Sequence, residues 1–319
     1  MAETAQKQQP VNALEALRGY TTVVADSGDF EAIRQFRPTD ATTNPTLVLK
    51  AAENREPVEL VARARAMPAT PGLELVERLM LLYGAELLDV VTHRVSTEVD
   101  ARLSFDTAAT IARARSLMAG YAALGVAPER VLIKIAATWE GIRAAQVLEA
   151  EGIRCNMTLI FSLCQAQACF DAGATLVSPF VGRITDWYKQ AWQVAEIATE
   201  EDPGVLGVRR IQALARAQHY PTEVMAASFR HAGQILALAG VDLMTIAPAL
   251  LEQLTTLAAN EVHPCFDTGT AEPEHEAHLD RARFALALNN NAMAQDRLAD
   301  GIRRFGHDQQ CLEQLLRAA

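Results

Sequence analysis

No run of about eighteen apolar residues occurs in this 319-residue chain, so nothing in it is built to span a membrane as a helix. The first ten residues are polar and lack the apolar stretch of a secretory leader. Cysteine is scarce and odd in number, five in all with no C-x-x-C spacing, which argues against a disulfide framework or a thiolate metal site. Positive charge is in the minority. There are 29 Lys and Arg against 39 Asp and Glu, a net charge of −10 with a pI near 5.3. That balance argues against a surface that neutralises the phosphates of a nucleic acid. No G-x-G-x-x-G turn and no Walker sequence is present, which disfavours a dinucleotide or nucleotide fold. What remains is a cytoplasmic protein of a reducing compartment, with neither nucleic acid nor membrane as partner.

Half of the residues are hydrophobic and 21% are charged, a balance that supports a large core. Short β-branched or apolar runs recur at 21–26, 40–44, 88–99, 131–136, 154–161, 175–181, 222–229 and 243–247, eight in all. Helical periodicity fills the intervals, as with Ile111, Ala114, Met118 and Tyr121 between 107 and 124. Gly125, Gly152, Gly173 and Gly240 each follow such a segment and precede the next run, where a helix C-cap belongs. Eight alternations of strand and helix predict an α/β fold: a closed, eight-stranded parallel (β/α)8 TIM barrel. An open doubly wound sheet is the alternative, but Gly28 alone after the first strand is not its phosphate turn. Extra N- and C-terminal helices are expected at 11–19, 292–305 and 308–316, and a long loop at 263–278. Residues 1–319 read as one domain.

In such a barrel the C-terminal strand ends carry the chemistry. Here they hold Asp26, Asn44, Glu98, Lys134, Asn156 with Thr158, Ser178 with Arg183 just beyond, and Ser228 with Arg230. Strand alternation puts Asn156 with Thr158, Ser178 with Phe180, and Ser228 with Arg230 on shared faces. Only four lysines occur, at 7, 50, 134 and 189. Three have polar or helical surroundings, whereas Lys134 lies within Val131-Leu132-Ile133-Lys134-Ile135-Ala136, a run that should be buried. Burial disfavours an ammonium and frees the amine to attack a carbonyl. A buried ion pair with Glu98 or Asp26 is the other reading of Lys134, and that pair would itself line a pocket.

The remaining groups fit imine chemistry. Glu98 and Thr158 are placed to hold the water lost and regained, and Asp26 is the candidate general base for cleavage of a C–C bond. Asn44 and Asn156 offer amides to sugar hydroxyls. Arg183 and Arg230, with Ser228, match the geometry of a phosphate. A metal-dependent enzyme would need converging histidines. Of the seven, only His93 falls on an expected strand, while the H-x-x-H of His275 and His278, and His263 near Cys265, read as surface polar residues. Cys155, Cys164 and Cys169 read as small core residues, and the acidic run 200–202 as a solvated helix end. A silent sugar-phosphate binder would keep the two arginines but have no use for Lys134 or Asp26.

Seven segments together resemble the transaldolase family: Val23-Val24-Ala25-Asp26, Ala41-Thr42-Thr43-Asn44-Pro45, Val95-Ser96-Thr97-Glu98-Val99-Asp100, Leu132-Ile133-Lys134, Asn156-Met157-Thr158-Leu159, Ser178-Pro179-Phe180-Val181-Gly182-Arg183 and Ala227-Ser228-Phe229-Arg230. The resemblance runs from about residue 13 to 308 and matches the long bacterial and eukaryotic form. It implies a class I aldolase barrel of the pentose phosphate pathway that uses no metal or organic cofactor, and a homodimer. A dihydroxyacetone unit would pass from sedoheptulose 7-phosphate to glyceraldehyde 3-phosphate, giving erythrose 4-phosphate and fructose 6-phosphate. By the same resemblance Lys134 is the Schiff-base lysine, Asp26 the acid/base group, and Glu98 with Thr158 the water-holding pair. Asn44, Asn156 and Ser178 line the dihydroxyacetone site, and Arg183, Ser228 and Arg230 bind phosphate. Relatives that act as simple fructose 6-phosphate aldolases tend to have tyrosine where Phe180 stands and glutamine where Glu98 stands. Phe180 with Glu98 therefore favours transfer over release. The chain departs from the family pattern near its end, with Leu286 in place of a tryptophan and Asn291 in place of an acid, and residues 262–279 are unlike the family.

Overall fold

The computed structural model describes residues 10–27, 29–53, 58–68, 71–266 and 279–318. Lys7, Gly28, and the part of the expected loop that carries His275 and His278 lie outside these residues. Eight short strands make the sheet: β1 (Thr22–Asp26), β2 (Asp40–Thr42), β3 (Val95–Glu98), β4 (Val131–Ala136), β5 (Cys155–Ile160), β6 (Leu176–Pro179), β7 (Glu223–Ala226) and β8 (Leu243–Ile246). All pair in parallel with their sequence neighbours, and β8 closes on β1, so the sheet is a (β/α)8 barrel. Closure leaves no free sheet edge, and the crossover helices cover the outer face.

Alternation within the strands sorts side chains between two compartments. On β4, Val131, Ile133 and Ile135 pack outward against the helical layer, including Ile142, Ala145 and Leu148 of the helix Trp139–Ala150. Leu132 points inward and joins Val24, Leu176, Met225 and Leu243 in an apolar layer that fills the barrel. Lys134 lies two residues further along the same inward face. The helices start and stop where local chemistry directs. Asp106, Thr138 and Ser162 cap helix N-termini through their side chains. Gly125, Gly152 and Gly173 take φ of 75°, 82° and 74°, the left-handed conformation that ends a helix with least strain. Gly240, at φ of 98°, stands not at a helix end but in the turn after Leu236 that leads into β8.

Several boundaries differ from expectation. Residues 88–94 are not strand: Leu88 closes the helix Leu75–Leu88, whose apolar face continues into the turn before β3. His93 is accordingly in that turn, paired with Asp40 at 3.2 Å. The first helix is only Ala13–Leu17. The two expected C-terminal helices are one, Ala292–Ala318, which passes through Gly306 without a break. This helix crosses the C-terminal mouth of the barrel. Gly301 approaches Leu159 so closely that a Cβ there would come within 2.7 Å of its Cδ2, and Phe305, 3% exposed, joins Leu159, Phe161 and Phe180 in an apolar cap. Leu159 itself takes φ of 56° at a bulge in β5.

Candidate active site

The strand register brings the expected residues to one end of the barrel. Glu98 of β3 pairs with Lys134 of β4, and Lys134 with Asn156 of β5. Lys134 is 5% exposed, and its Nζ donates to Glu98 Oε2 at 3.0 Å, so the buried ion pair exists and belongs to the site. Fully buried Asn156 donates from Nδ2 to Ser96 Oγ at 3.0 Å and accepts from Ser178 Oγ at 2.6 Å. Across the barrel, Asp26 Oδ1 accepts from Thr42 Oγ1 at 3.2 Å, and Thr42 Oγ1 lies 3.1 Å from Thr245 Oγ1. Thr158 Oγ1 is buried with no hydrogen-bond partner among the described residues, which leaves a hydroxyl free for a water or a substrate oxygen.

These groups surround a cavity of about 230 Å³. Asp26, Asn44, Lys134, Thr158, Ser178 and Phe180 line it on the lysine side, and Arg183, Ser228 and Arg230 on the other. Glu98 and Asn156 stand behind, touching its contents only through Lys134 and Ser178. Asn44 also caps the helix Pro45–Glu53 through a bond from Leu47 N–H at 2.9 Å, which fixes its side chain. Ser228 and Arg230 are not on a strand, because β7 stops at Ala226. Their proximity comes from a turn in which Ser228 takes φ of 66°, and Arg230 Nη1 donates to Ser228 O at 3.1 Å and Oγ at 3.2 Å. Gly182 admits this turn. Its N–H donates to Ser228 O at 2.8 Å, and a Cβ there would fall 2.3 Å from that oxygen.

Burial sets the electrostatics. It raises the carboxyls of Asp26 and Glu98 above their ordinary values, outweighing the opposing attraction of Lys134. A carboxyl so shifted can accept a proton and return it. Arg183 is pushed down to about 10 by burial, with the nearby charges of Arg304 and Arg230 adding to the effect. Its guanidinium packs on the rings of Phe180 at 4.9 Å and Phe305 at 5.4 Å, and its buried Nη1 has no hydrogen-bond partner among the described residues. Arg230 is held by Asp186 through Nη2 at 2.7 Å and Nε at 3.1 Å. Two guanidinium groups on one wall make a place for an anion with several oxygens.

Three residues at the site escaped the sequence. Thr42 donates to Asp26 and Thr245 bonds Thr42 in turn, and Thr42 stands in the same motif as Asn44, whose amide is the more obvious ligand. Phe305 reaches the cavity, 5.8 Å from Lys134 Nζ, from a helix far along the chain, and no local pattern marks it. Among the described residues no three His, Cys, Asp or Glu side chains converge as a metal site, and none of the five cysteines forms a disulfide. No helix among the described residues is long and apolar enough to cross a membrane.

The fold and the groups at its mouth define a barrel enzyme with a buried lysine set among carboxylates. The family model described as transaldolase/fructose-6-phosphate aldolase matches residues 23–316. Transaldolase of Methylibium petroleiphilum is 51% identical over 311 residues, 96% of this chain and 98% of that protein. Transaldolase of Chromohalobacter salexigens is 51% identical over 312 residues, with the same shares covered. The chain belongs to the transaldolase/fructose-6-phosphate aldolase family.

Proposed function

We propose that this protein is a transaldolase, moving a dihydroxyacetone unit from sedoheptulose 7-phosphate to glyceraldehyde 3-phosphate through a Schiff base on Lys134. The observation that carries the reading is the placement of Lys134 Nζ, buried in the cavity, 3.0 Å from Glu98, with Asp26 and two guanidinium groups lining the same cavity. Lys134 passes a proton to Glu98, whose raised affinity suits it to receive one, and the free amine adds to the ketone carbon. Loss of water from the carbinolamine gives the iminium, with the proton for that water returned from Glu98 and the departing oxygen held at Thr158. Asp26 then takes the proton of the C4 hydroxyl as the C3–C4 bond breaks. The electron pair of that bond is drawn into the iminium, leaving an enamine on Lys134 and releasing erythrose 4-phosphate. Attack of the enamine on the aldehyde of glyceraldehyde 3-phosphate forms the new C–C bond, and Asp26 returns its proton to the new hydroxyl. Hydrolysis frees fructose 6-phosphate.

Asn44, Asn156 and Ser178 serve the dihydroxyacetone end, while Arg183, Ser228 and Arg230 hold phosphate. Phe180, packed edge-on against Phe161 at 5.4 Å, brings no hydroxyl to the enamine and so favours transfer over release of free dihydroxyacetone. The family resemblance supports a homodimer, and the sequence pattern and cysteine usage support a single domain in the cytoplasm. Borohydride reduction in the presence of fructose 6-phosphate should leave a stable three-carbon adduct on Lys134 in the mass spectrum. The Lys134→Ala protein should fold, carry no adduct, and lose about 10⁴-fold or more in turnover. Retained turnover in that variant defeats the mechanism.

A further inference from the structure

Behind the two arginines lies a polar node that the reaction does not touch. The acidic run 200–202 expected to be solvated divides: Glu200 and Glu201 are exposed, but Asp202 is wholly buried. Its Oδ1 accepts from Gly204 N–H at 2.8 Å, capping the helix Pro203–Ala217. Thr185, on the helix Gly182–Trp192 that begins beside Arg183, lies with its Oγ1 2.8 and 3.0 Å from the two oxygens of Asp202. Gln234, on the short helix Ala232–Leu236 after β7, is also wholly buried. Its Nε2 donates to Asp202 Oδ2 at 2.7 Å and to Thr185 Oγ1 at 3.0 Å. Its Oε1 accepts from Arg230 N–H at 2.8 Å.

The chemistry of these partners leaves Gln234 one orientation. A backbone N–H only donates, so the amide oxygen must face Arg230 and the amide nitrogen is left to face Asp202 and Thr185. Every hydrogen-bonding group of the Gln234 amide is then used, in a place where an unpaired one would be costly. The node ties the segment that carries Arg183 to the segment that carries Arg230. The same two segments meet again where Gly182 N–H bonds to Ser228 O and Val181 N–H to Ala227 O, both at 2.8 Å.

We propose that Gln234, fixed by Asp202 and Thr185, is a positioning residue for the phosphate end of the substrate, holding the Arg230 backbone and so the spacing of the two guanidinium groups. The inference rests on the reading of Arg183, Ser228 and Arg230 as phosphate ligands. Its test uses the full-length protein with Gln234→Met, Thr185→Val and Thr185→Ser, at saturating donor. Inorganic phosphate is the competitive probe, and glyceraldehyde 3-phosphate and glyceraldehyde are the matched acceptors. Gln234→Met and Thr185→Val should each raise the inhibition constant of phosphate and the KM of glyceraldehyde 3-phosphate by about five- to tenfold, the worth of one hydrogen bond. Their kcat and the KM of glyceraldehyde should not move, and Thr185→Ser, which keeps the hydroxyl, should match the parent. Should Gln234→Met fail to fold, Thr185→Val carries the test, since it removes a hydroxyl at constant shape. Unchanged phosphate affinity in a folded variant, or an equal loss with both acceptors, overturns the inference. Arg230→Ala reports separately on the reading beneath it: if phosphate inhibits that variant as well as the parent, the guanidinium assignment is wrong whatever Gln234 does.

Discussion

A carboxylate in an enclosed barrel mouth works against folding, and Asp26 shows the sign of the effect. Burial raises its proton affinity in the folded protein, and neither Lys134 nor the bond from Thr42 restores the ordinary value. Above the raised folded pKa the native state holds a buried charge that the unfolded chain solvates freely, so stability is lost there. As pH falls from that raised value towards about 3.9, where the unfolded group also takes its proton, the cost disappears. Asp26→Asn should therefore raise the melting temperature at pH 8, with a gain that shrinks on acidification and is absent below about pH 4. Turnover should fall by about 10²- to 10⁴-fold in the same protein, the contribution of a general base. Thermal melts across pH test the first part, and a gain that grows on acidification would contradict it. Much at this scale was legible in the sequence because a lysine in a greasy strand has few explanations. Asp202 was not, because its run of acids reads as solvent-facing until helix ends from two other segments close over it.

Among elements, the C-terminal helix does most that the sequence concealed. Its pattern suggested two helices around Gly306, yet glycine in the middle of a well-packed helix costs only about 1 kcal/mol, and packing overrides it. The strands fared better, since β-branched runs bounded by capping glycines have few other readings. The exception was 88–94, where an apolar helix end runs into the turn before β3 and hides the boundary. What the sequence could not reveal is that this helix lies over the mouth, with Gly301 against Leu159 and Phe305 over Lys134 and Arg183. Tertiary approach of residues so distant in the chain leaves no periodic trace. Side-chain bonds tie this helix to two others as well, Trp187 Nε1 to Asp296 at 2.9 Å and Thr46 to Asp308. Phe305→Ala should lower the unfolding free energy by about 3–5 kcal/mol through the cavity it leaves. Phe305→Leu, which keeps an apolar cover, should cost less than about 1.5 kcal/mol. Denaturant unfolding reads both, and equal effects would show that the ring does not pack as described.

At the scale of the whole molecule the barrel is layered, and the layers divide the labour. Beneath the apolar layer of Val24, Leu132, Leu176, Met225 and Leu243 lies a charged plug at the N-terminal end. Arg94, 4% exposed, donates from Nε to Asp40 at the start of β2 at 2.9 Å and from Nη1 to Glu223 at the start of β7 at 2.6 Å. It thus ties strands on either side of the β1–β8 closure. Above the same apolar layer stand Lys134, Asp26 and Glu98, and above them the aromatic cap and the C-terminal helix. A lysine centre between two apolar layers is kept from bulk water, which is why burial leads the causes of the raised carboxyls. The hydrocarbon layer separates the two polar ends on β1, β4, β6, β7 and β8, while on β2 and β3 Thr42 and Ser96 stand between them. Arg94→Met removes the cation at one end and leaves Asp40, itself buried, short of its partner, at a cost of about 3 kcal/mol or more. Because no side-chain hydrogen bond among the described residues runs from Arg94, Asp40 or Glu223 to Lys134, Asp26 or Glu98, kcat and KM measured below the melting transition should stay within about twofold of the parent, as for distant independent sites. Asp26→Asn should do the reverse, gaining stability at pH 8 while losing turnover. A double variant should then combine the two stability changes additively, to within about 0.5 kcal/mol. A larger interaction energy between Arg94 and Asp26, read from denaturant midpoints in a double-mutant cycle, would mean that the apolar layer transmits strain from one end of the barrel to the other.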